Sequence, residues 1–366
     1  MAEAASLEAE IRRLIGLAGP MPVAVFMGHC LAHPRLGYYI THDPFGSGGD
    51  FTTSPEISQM FGELLGLWSA AVWRQMDSPE NVQLIELGPG RGTMMLDMLR
   101  AANVMPDFRR AIAVHLVESS PVLLARQQQT LGNLDLSIVW HESLAEVPEG
   151  PSILVANEFF DAIPVNQAVK QSDGWHERLV GLDHDGKFAF AIAPDPMKFF
   201  EQTLPPQVRM AEVGSIYEWR ADTLALEVGR RMVHGGGGAL IIDYGHPESM
   251  IGDTFQALRE QRKADPLAAP GLADLTAHVD FQALGNAAEG IGCSVHGPVD
   301  QATFLRRLGI EQRAGNLKKV APPDKVKAID IALARLTAGG ATGMGNLFKA
   351  IGLSAPDIGT LPGFEV

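Results

Sequence analysis

Leu84-Ile85-Glu86-Leu87-Gly88-Pro89-Gly90-Arg91-Gly92-Thr93 decides the fold of this 366-residue chain. An apolar run carries one carboxylate and then breaks into glycines at alternate positions. Upstream, Val82 to Leu87 has the character of a buried strand; downstream, Met94, Met95, Met98, Leu99 and Ala102 recur at helical spacing. The stretch is a strand turning into a helix, and the turn between them is a ligand loop. Glycine lacks the Cβ that would resist positive φ or hold the backbone away from a bound molecule.

Such turns also serve dinucleotides and phosphates, and spacing separates the cases. The dinucleotide fingerprint G-x-G-x-x-G requires glycine at 88, 90 and 93, but position 93 is Thr. A carboxylate at Glu86 repels a pyrophosphate, whereas it attracts a ligand carrying an ammonium and a sulfonium. The pattern E-x-G-x-G-x-G from Glu86 to Gly92 resembles the first motif of class I S-adenosylmethionine-dependent methyltransferases. That resemblance implies cofactor contacts from Glu86, Gly88, Pro89, Gly90, Gly92 and Thr93.

Moving outward, Ala111 to Val117 reads as the second strand and ends at Glu118, before Ser119-Ser120-Pro121 and another helical pattern. Glu118 lies 26 residues after Gly92, at the carboxyl end of a βαβ unit, where an acid accepts hydrogen bonds from both ribose hydroxyls. Ser119 stands beside it. Leu134 to Trp140 reads as a third strand ending in His141-Glu142-Ser143, which places Glu142 and Ser143 for a polar contact to an adenine edge. Ser152 to Ala156, the fourth strand, delivers Asn157-Glu158-Phe159-Phe160-Asp161 to the rim where ligands react in open α/β sheets. Asn157, Glu158 and Asp161 suit a cationic nitrogen through charge-assisted hydrogen bonds, with Asn157 also reaching the cofactor. The competing reading makes Asn157 or Glu158 a helix cap and leaves Asp161 solvated.

Toward the N-terminus, Ser6 caps a helix with Leu7, Ile11, Leu14 and Ile15 on one face, and Val23 to Leu31 forms a second. His29 and His33 are four apart but lack a third ligand, and His33 precedes a proline, so no metal site is expected. A glycine-rich loop containing Gly49, Asp50 and Phe51 then runs into Thr53-Ser54-Pro55-Glu56. Either Thr53 and Glu56 make a capping box, or Ser54 caps with Pro55 behind it. Such a loop, with Gly49, Asp50, Phe51, Thr53 and Ser54, is either a lid over an active site or a plain surface loop.

Beyond Pro164 the period becomes alternating: Trp175 to Leu182 and Phe188 to Ile192 flank His184-Asp185-Gly186 as a hairpin. Gly181 to Phe188 mimics a phosphate loop, but Phe188 replaces the magnesium-binding Ser or Thr and a strand follows. A helix from Ala221 and a fifth strand, Ala239 to Asp243, return to the core. The chain is thus divided into an N-terminal helical region with the glycine loop (1–80), the first part of the cofactor core (81–163), a β-rich insertion (164–220), a return to the core (221–300) and a C-terminal helical, substrate-side extension (301–366). Residues 252–271 look irregular, as functional or mobile chain does.

Composition bounds the partners. A formal net charge of −14 does not suit a phosphate backbone, so no nucleic acid is expected. Two cysteines, Cys30 and Cys293, form no metal spacing and no disulfide framework. No apolar run approaches the roughly 18 residues of a membrane span. Glu3, Glu8 and Glu10 depart from the Arg-rich, acid-poor character of a transit peptide, which gives a cytoplasmic expectation.

Taken together, Gly49-Asp-Phe-Thr-Thr-Ser-Pro-Glu56, Glu86-Leu-Gly-Pro-Gly-Arg-Gly92, Asn157-Glu-Phe-Phe-Asp-Ala-Ile-Pro164, Asp243-Tyr-Gly245 and Thr276-Ala-His-Val-Asp-Phe281 resemble the MidA-type methyltransferase family over about residues 32–350. One departure is Ile163, where leucine would precede the proline. The family contains the arginine methyltransferase that serves mitochondrial complex I assembly, together with bacterial relatives. The resemblance implies an α/β, Rossmann-like class I methyltransferase sheet with helices on both faces, S-adenosyl-L-methionine as cofactor, and symmetric dimethylation of an arginine on the large hydrophilic quinone-site subunit of complex I. In that chemistry Glu158 or Asp161 aligns the guanidinium and accepts a proton, since arginine's high pKa makes prior deprotonation costly. His278 and Asp280 become candidates for the substrate rim or for capping. A nicotinamide oxidoreductase, a chaperone that has kept the fold, and methylation of a small molecule are the alternatives.

Overall fold

The computed structural model describes residues 6–44, 53–340 and 343–365. The chain divides into two units. One holds Thr52–Phe160, Asp222–Pro247 and Phe281–Val366; the other holds Met1–Phe51, Asp161–Ala221 and Glu248–Asp280.

The first unit is built on a sheet whose strands are β1 (Val82–Leu87), β2 (Ile112–Val117), β3 (Ile138–His141), β4 (Ser152–Asn157), β5 (Gly237–His246), β6 (Ser294–Asp300) and β7 (Phe348–Ser354). Their order is β6-β7-β5-β4-β1-β2-β3. Neighbours from β5 to β3 run parallel, while β7 lies antiparallel to both β5 and β6. Helices cover such a sheet, so its central strands are apolar almost without interruption; every residue of β4 is buried. The fold expected from the sequence, an α/β class I methyltransferase sheet, is the one observed.

Two helices bring the cofactor loop against the core. Gln59–Gln75 packs on Thr93–Ala102, which starts directly after Gly92. Gly62 and Gly66 make this approach close: a Cβ at Gly66 would stand 2.4 Å from the carbonyl oxygen of Met98, and one at Gly62 would stand 2.7 Å from Cβ of Asp97. Phe61, Leu65, Trp68, Met95 and Met98 of these helices are buried in the same apolar core.

Residues 348–354 depart from the expectation of a helical C-terminal extension. Phe348, Ala350, Ile351 and Leu353 are buried in a strand between β5 and β6, and a short apolar run of this kind has no period that separates strand from helix. A further helix, Ile310–Val320, precedes Pro323–Thr337. The third strand is shorter than its apolar pattern, starting only at Ile138.

In the second unit, Ser6 accepts the Ala9 N–H at 3.1 Å and caps the helix Leu7–Ala18. The strands Met21–Pro22, Gly174–Leu182, Asn166–Gln171 and Ile216–Trp219 form a sheet in that order, with Phe188–Ile192 on Gly174–Leu182. The hairpin turns where predicted: Asp183 accepts the N–H groups of Asp185 and Lys187, and Gly186 adopts φ +76°. Residues 252–271 are more regular than their composition suggested, because Gln256–Arg259 pairs with both Arg262–Ala264 and Asp274–Thr276. Among the described residues no helix is long and apolar enough to cross a membrane.

Candidate active site

Strand register sets the site. Leu87 pairs with Val117 on one side and Ala156 on the other, and Ile242 pairs with Asn157. The residues that follow, Gly88, Glu118, Glu158 and Asp243, therefore emerge at one edge of the sheet, the carboxyl ends of the parallel strands.

At the head of this edge lies the glycine loop. Gly88, Gly90 and Gly92 adopt φ of +64°, +55° and +80°, a region that side chains resist. Gly92 N–H closes the turn on the Pro89 carbonyl at 2.7 Å. Gly88 has a second reason to be glycine, since a Cβ there would lie 2.4 Å from a ring carbon of Phe159.

Glu86 and Glu118 flank the loop. Glu86 is 1% exposed, and its Oε2 is buried with no hydrogen-bond partner among the described residues. Burial, and then the charge of Glu118, push its carboxyl up to about 8. Burial also raises Glu118, to about 7, against the hydrogen bonds that favour its ionised form. Those bonds hold it in place: Oε1 accepts the Ser120 N–H at 2.7 Å and Oε2 accepts the Gln127 amide at 2.9 Å. A buried carboxylate with one oxygen that meets no donor among the described residues, beside positive-φ glycines, fits a ligand that brings a cation, and it does not fit a pyrophosphate. An ammonium and a sulfonium, the charges of S-adenosylmethionine, are cations of that kind.

Gln127 was not singled out in the sequence, and it binds the parts together. Fully buried, it donates to the Gly90 carbonyl at 2.8 Å as well as to Glu118, and accepts from the Trp140 indole at 3.0 Å. It sits in the run Gln127-Gln128-Gln129, which reads as a solvated helix face. Glu142 and Ser143 stand exposed past the end of β3, where the His141 carbonyl accepts the Glu118 N–H at 2.9 Å; Ser119 is exposed too.

The fourth strand ends in an unusual turn. Glu158 adopts φ +52°, which costs a residue with a Cβ about 1–2 kcal/mol. Its N–H donates to the Ile242 carbonyl at 2.9 Å, and its Oε1 accepts from Ser54 N–H at 2.8 Å and from the Asn157 amide at 3.1 Å. Asn157 Oδ1 is buried and accepts no hydrogen bond among the described residues. No helix follows, so neither Asn157 nor Glu158 is a cap. Asp243, fully buried, accepts the Phe159 and Phe160 N–H groups on Oδ2 at 3.1 and 2.9 Å, and the Tyr244 N–H on Oδ1 at 2.9 Å. An acid at the end of the fifth strand, as Glu118 is at the end of the second, was the signal available for Asp243.

Residues 53–58 join both parts. Thr53 stands at the N-cap of the short helix Ser54–Ile57, but its side chain makes no capping bond. Glu56 does not complete a capping box; its Oε1 accepts the Thr93 hydroxyl at 2.7 Å. Gly49, Asp50 and Phe51 lie outside the described residues.

Asp161, His278 and Asp280 belong to the second unit. There Arg220 donates to the carbonyls of Asp161, Ile163, Ala277 and His278, drawing two motifs of the sequence together. Ala277 N–H adds a bond to the Asp161 carbonyl at 3.1 Å. Glu218 anchors the neighbouring segment by accepting from Gln167, Thr254 and Phe255.

Residues 64–299 match the family described as "Putative S-adenosyl-L-methionine-dependent methyltransferase". A Drosophila melanogaster relative, named protein arginine methyltransferase NDUFAF7 homolog, mitochondrial, is 37% identical over 95% of this chain and 84% of its own length. The human protein arginine methyltransferase NDUFAF7, mitochondrial, is 38% identical over 81% of this chain and 71% of its own. A Burkholderia thailandensis protein crystallised with S-adenosyl-homocysteine superposes with a TM-score of 0.86 at 31% identity, covering 98% and 94% of the two chains. The cytoplasmic expectation drawn from Glu3, Glu8 and Glu10 is corrected by these relatives, which are named as mitochondrial proteins. The acid content of the first residues is no guide to compartment here. By the matched family, by relatives over most of its length and by its cofactor edge, the chain belongs to this family of S-adenosyl-L-methionine-dependent methyltransferases.

Proposed function

We propose that the chain methylates an arginine of a protein, and that the acceptor is the large hydrophilic quinone-site subunit of respiratory complex I. One observation carries the reading: the Glu158 carboxylate and the buried Asn157 Oδ1 are presented together at the edge that also bears Glu86 and Glu118. A guanidinium offers a planar set of donors and keeps its charge at neutral pH, so its complement is a fixed pair of acceptors, one of them anionic. The names of the relatives support arginine as the acceptor, and the motifs shared with the MidA-type family support complex I assembly.

Bound S-adenosylmethionine supplies an electrophilic sulfonium methyl. Glu86 would hold the cationic part of the cofactor and Glu118 its ribose, with the backbone at Gly88, Gly90 and Gly92 free of side chains beside them. Asn157 Oδ1 accepts an N–H of the acceptor and fixes its plane. Glu158 compensates the guanidinium charge and takes the proton that the nitrogen sheds as it gains the methyl. Asp161 is the next carboxylate along the chain and the second candidate for that proton.

The test is transfer of labelled methyl from S-adenosylmethionine by the purified protein to the soluble large complex I subunit, with mass spectrometry to find the mark. A dimethylated arginine that vanishes with Gly90→Val is the expected result. Cofactor binding without transfer to that subunit would remove the proposed acceptor.

A further inference from the structure

The turn Asn157–Phe160 is held in a conformation that its own residues do not favour, and the groups that hold it come from distant parts of the chain. Asp243 lies 84 residues from Phe159 in sequence, and Ser54 lies 104 from Glu158. Asp243 accepts three backbone N–H groups: Phe159 and Phe160 on one oxygen, Tyr244 on the other. An ionised carboxylate has acceptors only, so it can meet all three; an amide would turn its own NH2 toward one of them. A fully buried carboxylate is costly to keep, which argues that this density of acceptors is what the position requires.

We propose that Asp243 is a positioning residue for methyl transfer: with the Ser54 amide it clamps the Asn157–Phe160 turn, so that Glu158 presents its carboxylate in one fixed direction. The inference rests on the reading in which Glu158 meets the acceptor nitrogen. The clamp works from two sides. Asp243 fixes the backbone after Glu158, and Ile242 fixes the Glu158 N–H itself. Ser54 then fixes the end of the side chain through Oε1, with Asn157 on the same oxygen. Without Asp243, two successive N–H groups, the half-buried one of Phe159 and the buried one of Phe160, lose their acceptor, and Glu158 is released to relax from φ +52°.

The experiment is a double-mutant cycle on the full-length protein with arginine-methyl transfer, S-adenosyl-homocysteine affinity and amide hydrogen exchange as readouts. Asp243→Asn is expected to lower kcat about 10–100-fold, as small misplacements of reacting groups do, and to leave S-adenosyl-homocysteine affinity within about threefold. In a Glu158→Gln background the same change is expected to cost no further activity, and exchange at Phe159 and Phe160 is expected to quicken. Additive losses in the cycle, or an unchanged kcat, would overturn the proposal, because a purely structural role lowers stability without depending on Glu158. Ser54→Pro provides the second variant, removing one N–H at a first helical position where proline is accommodated. If Asp243→Asn does not fold, wild-type kcat in Ser54→Pro overturns the clamp. If the wild-type protein binds cofactor but marks no arginine, the functional reading fails, and the clamp is judged by exchange alone: unchanged protection of Phe159 and Phe160 in Asp243→Asn rejects it.

Discussion

Two turns at the same sheet edge solve opposite problems by opposite means. The cofactor loop needs positive φ at three positions and uses glycine at each, so its shape is written into the residues that adopt it. The Asn157–Phe160 turn has positive φ at a residue whose side chain, in the function proposed here, it also displays, so glycine would not serve and Glu158 is constrained from outside by Asp243, Ile242 and Ser54. A binding surface made of backbone can be encoded locally. A directed carboxylate has to be enforced by packing.

The largest test of that contrast is Glu158→Gln, which keeps the shape and removes the charge: kcat should fall by about 10²–10⁴-fold with cofactor affinity unchanged, measured by single-turnover methyl transfer and calorimetry. Loss of cofactor binding instead would merge the two turns into one function. Gly88→Ala strikes where they touch, because the new Cβ meets the Phe159 ring and the backbone is at φ +64°. Both affinity and kcat should drop, each by about 100-fold; a variant that lost affinity alone would show the turns to be independent.

Gln127→Leu strips the cofactor side of its cross-brace and leaves the Trp140 indole and the Gly90 carbonyl without their partner. Each unmet buried group costs about 1–3 kcal/mol, so melting should come earlier and affinity should weaken about tenfold or more, while kcat at saturation holds. The pH dependence separates the turns in another way. Glu86 and Glu118 titrate near 8 and 7 in the ligand-free protein, and a cationic ligand binds their ionised forms. Affinity should therefore rise about tenfold for each proton released per pH unit between pH 6 and 7.5, and Glu86→Gln should flatten that rise. Their raised values also fix the sign for stability. The contribution is complete below the ordinary carboxylate value of 4.5 and is lost as pH rises from there to the folded values of about 7 and about 8, so the melting temperature without ligand should fall over that span, and S-adenosyl-homocysteine should offset the fall. Smallest is Thr93→Val, which removes one hydroxyl from Glu56. About 0.5–1.5 kcal/mol is at stake, a change of about three- to tenfold in the KM for cofactor.

What could be read in the chain follows the same division. The glycine loop, Glu118 and the strands feeding them were legible because adjacent residues carry both the period and the exception to it. The Ser6 cap and the 183–186 turn were legible for the same reason. The bonds of Gln127 and Asp243 were not, since their partners lie elsewhere and a polar side chain shows nothing locally of what it will bind. Glu56 shows how local logic fails: its spacing from Thr53 suits a capping box, yet its carboxylate goes to Thr93. Phe348–Ser354 was missed because a buried strand carries no alternation, and its place between β5 and β6 depends on partners far away in the chain, as in the pairings of Lys349 with Asp300 and of Ser354 with Gly238.

Gly62 and Gly66 have a consequence for what the chain can tolerate in length. They seat Gln59–Gln75 so closely on Thr93–Ala102 that the two helices mesh like gears with one permitted phase. Ser54 and Glu56 are only a few residues ahead of the first tooth. A helix turns by about 100° per residue, so one residue inserted between Ser58 and Gly62 would swing either the glycine face off its partner or the Ser54 amide off Glu158. This part of the chain is a fixed-length ruler.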